Sequence, residues 1–311
     1  MEIGLLTDSL GMHPLPRVLD TAAELGVTTI ELAMGNWSSA PHANVDELVA
    51  DGAARRELVS AIAARGLRLE AINASGNQLH PKWGAEHDRV VRQTLLLAEQ
   101  LELDTVVLMS GLPAAAGDGF PAWITSVWPP ENLELLDYQW NEVALPYWAG
   151  LAEEARSRGV TRLAVEMHGA QLVYSPPGLL RLREEIGDIV GANFDPSHLM
   201  WMGADPLAAV EALSGAIHHV HAKDTRVEPA ASWRTRLETL PNPETDARAW
   251  NFVAVGTGYP GGVDFWSRFV QALRAAGYDG PLSIENEDYT IGADESVAIA
   301  ARTLREALAR S

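Results

Sequence analysis

Four short segments each end an apolar run with a side chain that can bind a metal: Leu163-Ala-Val-Glu166, Ala192-Asn-Phe-Asp195, His219-Val-His221 and Leu282-Ser-Ile-Glu285. Each reads as a β-strand delivering one hard or borderline ligand at its C-terminal tip. Three carboxylates and one imidazole suit a divalent cation: Mn²⁺ is the expected ion, and Mg²⁺, Co²⁺ or Zn²⁺ fit the same donors. The tips converge only if the strands lie side by side in a parallel barrel, where they meet at one mouth.

Each residue also has a plainer role open to it. A buried carboxylate needs a cation or hydrogen-bond donors, so Glu166 and Glu285 are metal ligands or partners of a nearby Arg or Lys. Asp195 precedes a proline and is read either as a helix cap or as a ligand. Ligation is favoured because the next helix is expected to begin only near Pro206. On a strand, His219 and His221 point the same way. His221 lies nearer the tip and is taken as the ligand, leaving His219 as an interior or supporting residue. His198 and His168, just beyond two of the ligands, are candidates for the base or for a contact to a substrate hydroxyl. Lys223 and Arg226 are candidate substrate contacts, the alternative being ion pairs with Glu287 or Asp288. Asn77 and His80 are placed on the opposite wall, and Trp37 is placed to stack on the face of a substrate.

The elements that must position these groups recur about eight times as an apolar strand followed by an amphipathic helix. Strands are expected at Glu2–Thr7, Thr28–Met34, Leu67–Ile72, Thr105–Met109, Arg162–Glu166, Val190–Asp195, Ile217–His221 and Leu282–Glu285. Helices are expected at Leu15–Leu25, near Arg55–Ala64 and Ala85–Leu101, at Glu142–Arg158, Pro177–Glu185, Pro206–Leu213, Asp264–Ala276 and Glu295–Ala309. Gly26, Gly66, Gly159 and Gly277 each fall where a helix gives way to a strand, as a left-handed C-cap requires. Near-continuous Val/Ile/Leu strands alternating with helices indicate an α/β fold with a buried parallel sheet, here a single-domain (β/α)₈ TIM barrel spanning 1–311. An open doubly wound sheet would call for a glycine-rich phosphate loop after the first strand, and Thr7-Asp-Ser-Leu-Gly11 is not one. Two connections are long, Ser110–Asn141 after strand four and Ala222–Gly262 after strand seven. Their tryptophans (Trp123, Trp128, Trp140, Trp233, Trp250) are read as walls over a substrate, or as packing against an oligomer partner.

Composition narrows the classes further. The chain has no cysteine, which removes disulfides and thiolate sites. Its formal net charge of −19 disfavours a polyanionic partner such as DNA or RNA. It starts directly on a strand, with no signal-peptide pattern and no apolar run long enough to span a bilayer, so a cytoplasmic location is expected.

Glu166, Asp195-Pro-Ser-His198, His219-Val-His221-Ala-Lys-Asp224, Gly277-Tyr-Asp-Gly-Pro-Leu-Ser-Ile-Glu285-Asn-Glu-Asp288 and Asn73-Ala-Ser-Gly-Asn77-Gln-Leu-His80-Pro resemble the xylose isomerase-like TIM barrels, the sugar phosphate isomerase/epimerase family. The resemblance implies one divalent ion held by Glu166, Asp195, His221 and Glu285, with Glu166 and Glu285 also acting as acid and base on the two faces of a sugar. It implies an isomerase or epimerase acting on a ketose or oxo-sugar without an organic cofactor. The alternative is a lyase that enolises a 3-oxo-glycoside and expels its aglycone, as in the C-glycoside deglycosidase-like relatives, sometimes with a small partner subunit. An endonuclease IV-like phosphodiesterase and a non-enzymatic sugar- or metal-binding barrel are the remaining readings. A homo-oligomer is expected.

Overall fold

A computed structural model describes residues 1–311. Ten strands run in chain order: β1 (Glu2–Leu6), β2 (Thr29–Ala33), β3 (Arg68–Asn73), β4 (Thr105–Met109), β5 (Arg162–Glu166), β6 (Val190–Phe194), β7 (Ile217–Ala222), β8 (Asp224–Val227), β9 (Trp250–Val253) and β10 (Pro281–Ile284). Eight of them close a barrel in the order β1-β2-β3-β4-β5-β6-β7-β10, and β8 and β9 form a separate antiparallel pair. The closed (β/α)₈ barrel expected from the alternation of strands and helices is therefore present, with every barrel pairing for which a register is described running parallel.

Backbone contacts divide the chain into two compact units. The first comprises Met1–Leu32, Glu57–Glu70 and Phe194–Ser311. Within it β1 aligns Leu5 with Ile284 of β10 and with Ile30 of β2, and β10 aligns Ser283 with His221 of β7. The second comprises Ala33–Arg56 and Ala71–Asn193. There β5 runs between β4 and β6, with Met109 opposite Glu166 and Glu166 opposite Asn193. Ala71, Val107 and Ala164, on three successive strands, form a fully buried cluster of small side chains.

Local chemistry explains the joints. Helix Leu15–Glu24 buries Val18, Leu19 and Ala22 on one stripe. It ends as Gly26 turns to φ 69°, so that Val27 N–H reaches back to the Ala22 carbonyl. A side chain there would meet the cost of the left-handed region. The same five-residue return bond closes the helices before Gly66, Gly159 and Gly277, all at positive φ.

Three expected features differ. The connection Ala222–Gly262 is not a plain loop, because Asp224–Val227 pairs with Trp250–Val253. Those short, aromatic and β-branched segments find each other across a long sequence gap, a non-local pairing that periodicity does not reveal. The helix expected from Glu142 starts earlier, at Glu131, and passes through a π-helical stretch, Tyr138–Ala144, into Leu145–Ser157. Pro146 lacks the N–H that an α-turn would use there. A helix at Pro196–Met202 follows β6 directly, ahead of the expected one at Pro206–Ala212. No helix is long and apolar enough to cross a membrane.

Candidate metal centre

In the first unit the groups at the ends of β6, β7 and β10 converge. Ligand atoms of Asp195, His221 and Glu285 lie within 4.8 Å of one another. His221 is fully buried and engaged at both nitrogens. Its Nε2 lies 3.0 and 3.1 Å from the two carboxylate oxygens of Glu31 on β2, and its Nδ1 is 3.0 Å from Glu285 Oε2. Glu31 also faces His219 Nε2 at 2.8 Å and accepts from Ser283 Oγ at 2.8 Å.

Burial pushes the Glu31 carboxyl up, but the neighbouring imidazoles of His221 and His219 outweigh it and hold Glu31 well below the usual carboxylate range. Ionised Glu31 is acceptor-only, so the imidazole nitrogens facing it carry the protons. For His221 that places Nε2–H toward Glu31 and leaves Nδ1 facing Glu285. Two electron-rich atoms 3.0 Å apart need a proton or a cation between them. The spacing suits adjacent donors on one small ion with bonds of about 2.1 Å. A carboxylate behind a ligand histidine is the usual device for setting its tautomer and orientation. Glu31, His219 and His221 also bring ligand atoms within 4.8 Å. Because the Glu31 oxygens already serve two imidazoles and a hydroxyl, we assign Glu31 and His219 to the support of His221. Glu31 escaped the sequence reading because a lone acid inside Thr29-Ile-Glu-Leu-Ala33 carries no spacing signal.

Asp195 is buried and caps the helix Pro196–Met202, its Oδ1 accepting from Ser197 N–H at 2.8 Å. The premise that no helix starts there was wrong, since Pro196 supplies the helix's first position. Capping uses one oxygen. The other, Oδ2, lies 3.1 Å from His198 Nε2 and 3.9 Å from Lys223 Nζ. His198 is 1% exposed, and Trp201 Nε1–H points at its Nδ1 from 3.4 Å. His198 Nε2 therefore stands beside the Asp195 carboxylate, at the edge of the candidate centre. Lys223 is buried, with Nζ 2.8 Å from Glu287 Oε2 and 3.3 Å from Glu285 Oε2, so the ion pair considered for it is present. Arg226, half exposed on the β8–β9 pair, is bound to Glu228 at 2.8 Å. Asp288 accepts from Ala254 N–H and from Thr290, and so shapes the backbone.

The second unit holds the other candidates. Glu166 is buried at the tip of β5 and accepts from Asn193 Nδ2 at 3.1 Å. His168 brings a ring nitrogen within 4.8 Å of a Glu166 oxygen, and its ring centroid is 6.3 Å from that of Trp37. Trp37 is 53% exposed. Asn77 donates to the Leu112 carbonyl and accepts from Leu112 and Leu79 N–H. Its amide therefore ties two loop segments together. His80 accepts from Lys82 and Trp83 N–H and stacks on the Trp83 ring at 4.3 Å. Desolvation and Lys82 lower its pKa. Among the loop tryptophans, Trp140 and Trp250 are buried, and Trp250 stacks on Trp201 at 5.0 Å. Trp128 and Trp233 are 75% and 78% exposed.

Comparison with known proteins adds kinship. The sequence profile of the xylose isomerase-like TIM barrels matches residues 19–307. A protein of Bacillus subtilis (strain 168), YfiH, is 42% identical over 315 residues, covering 100% of both chains. Among solved structures, an L-ribulose 3-epimerase superposes with a TM-score of 0.64 at 20% identity, covering 99% of this chain and 96% of that one. The IOLI protein with a bound zinc atom superposes with a TM-score of 0.68 at 16% identity, covering 100% and 99%. At those identities the likeness establishes the fold.

Proposed function

Because this chain belongs to the xylose isomerase-like TIM-barrel family, we propose that it is a divalent-metal-dependent enzyme that isomerises or epimerises a sugar or ketosugar by moving a proton at a carbon beside a carbonyl. The observation that carries the proposal is the doubly engaged His221, whose Nδ1 faces Glu285 while Glu31 fixes its other nitrogen. Glu166, Asp195, His221 and Glu285 would hold the ion, with Mn²⁺ the expected occupant. Once bound, it supplies Lewis-acid polarisation of a carbonyl and its neighbouring hydroxyl, which acidifies the C–H between them.

The chain's own residues would do the rest. Glu166 and Glu285 are the groups assigned to take the proton and return it. Glu166 is held by Asn193, and Glu285 by Lys223 and His221. His168, near Glu166 and Trp37, is assigned to a substrate hydroxyl, and Trp37 to the apolar face of the sugar ring. The solved structure named as an L-ribulose 3-epimerase and the one named with a bound zinc atom are in keeping with metal-dependent sugar chemistry on this fold. We further propose that the protein works as a homo-oligomer.

The test combines metal analysis of the purified protein with product analysis by NMR and mass spectrometry on ketohexoses and 3-oxo sugars. The expected result is a bound or titratable divalent ion and a shifted hydroxyl configuration. Glu166→Gln is expected to lower turnover by about 10³ while leaving the fold intact. A wild type that binds no divalent ion, or that turns over no sugar when loaded, overturns the proposal. Release of a free phenol from a 3-oxo-glycoside would replace it with the lyase reading.

A further inference from the structure

The function proposed above uses the carboxylates at the strand tips, but a cation of the protein's own already stands among them. Lys223 is 3% exposed. Its Nζ lies 2.8 Å from Glu287, 3.3 Å from Glu285 and 3.9 Å from Asp195, and 4.4 Å from the centroid of the Phe252 ring. An ammonium this enclosed has exchanged its water for carboxylates and one aromatic face. Two of those carboxylates, Glu285 and Asp195, are the ones that approach His221 within 4.8 Å. The third, Glu287, is partly exposed and lies outside that group.

We propose that Lys223 is the built-in counter-ion of the centre. It holds Asp195 and Glu285 together when no metal is bound, and it sets the affinity for the divalent ion by competing for the same two carboxylates. This inference rests on the metal-dependent reading above. Charge balance carries it: buried Asp195 and mostly buried Glu285 both lie within 4 Å of the one ammonium, and a carboxylate taken out of water is costly without a cation beside it. Glu287 gives the ammonium a partner to keep when the other two are taken up by the divalent ion. Binding is then an exchange of one cation for another at Asp195 and Glu285, rather than the filling of a bare acidic pocket. His221 on β7 and Lys223 just after it both reach Glu285 Oε2, at 3.0 and 3.3 Å.

The experiment is calorimetric titration of Mn²⁺ into the chelator-treated full chain, paired with thermal unfolding with and without Mn²⁺, for wild type, Lys223→Met and Lys223→Arg. Lys223→Met is expected to bind Mn²⁺ at least tenfold more tightly, to melt lower than wild type in chelator, and to gain more from saturating Mn²⁺. Lys223→Arg keeps the charge and is expected to stay within about threefold of wild-type affinity. If Lys223→Met does not fold, Lys223→Gln takes its place, with the same expectation. Affinity in the neutral variant that is unchanged, weaker or less than tenfold tighter overturns the inference while leaving the metal-dependent reading standing. A wild type that takes up no divalent ion overturns both.

Discussion

Lys223 and Asp224 are neighbours in sequence, and the regions they serve bury charge in opposite ways. Around Lys223 the partners are themselves charged or titratable: Glu285, Glu287, Asp195 and, through Glu285, His221. Around Asp224 they are neutral donors. Its Oδ1 accepts from Thr225 and Tyr259 N–H at 2.8 and 2.9 Å, and its Oδ2 accepts from Gly256 N–H at 2.8 Å and Trp266 Nε1–H at 3.2 Å. Those donors fasten the segment after β9 onto the start of β8. They do not repay the full cost of burial, so desolvation leaves Asp224 with a raised pKa despite them. A carboxylate saturated by backbone dipoles has nothing left to offer a ligand, and it works as a clasp. Carboxylates balanced by an ammonium and by imidazoles can trade those partners for a metal ion.

The contrast breaks most visibly by substitution. Asp224→Ala strands five donors, those of Thr225 and Trp266 fully buried, and is expected to destabilise the chain by about 3 kcal/mol in urea unfolding, while shifting Mn²⁺ affinity by less than about threefold. If metal affinity falls together with stability, the clasp and the centre are one device and the distinction fails. Glu31→Gln tests the other side. It removes the charge that sets the His221 tautomer, so Mn²⁺ affinity is expected to drop by about 10- to 100-fold while the fold persists. An unchanged affinity would mean that His221 is oriented by packing and that Glu31 is only its neighbour.

What the sequence disclosed follows the same division. The strands and their order were legible because eight apolar runs between amphipathic helices leave few other closed arrangements, and the glycines after the helices marked the turns. The acids and histidines at strand tips were legible because a charge that ends an apolar run stands out. Glu31 did not stand out, since it lies inside its strand and its partners are nearly two hundred residues away. Asp195 stood out as an acid ending an apolar run but not as a cap, because the short helix after Pro196 is buried along nearly all its length and presents no exposed polar face to announce it. Asn77 is placed by sequence on the wall of the site. Its partners are backbone groups of Leu112 and Leu79, and side-chain-to-backbone bonds of that kind leave no pattern in sequence.

The finest separation between the two regions is their response to acid. Glu31 has a folded-state pKa below its ordinary value of 4.5, because the imidazoles of His221 and His219 outweigh the desolvation that pushes it up. A group depressed on folding contributes stability that is present in full above its unfolded value and is lost as pH falls through the folded one. Asp224 is shifted the other way, by desolvation, so protonating it relieves part of its burial cost. Acidification below about pH 4.5 should therefore remove stability through Glu31 and return a little through Asp224. With metal chelated, urea unfolding measured stepwise from pH 6 to pH 3 is expected to give Glu31→Gln a shallower acid-side loss than wild type. The wild-type and Glu31→Gln curves should draw together as pH drops. Parallel curves would mean that the Glu31 carboxylate gains nothing from His219 and His221 on folding. The two modes of burying an acid would then be energetically the same, whatever their geometry.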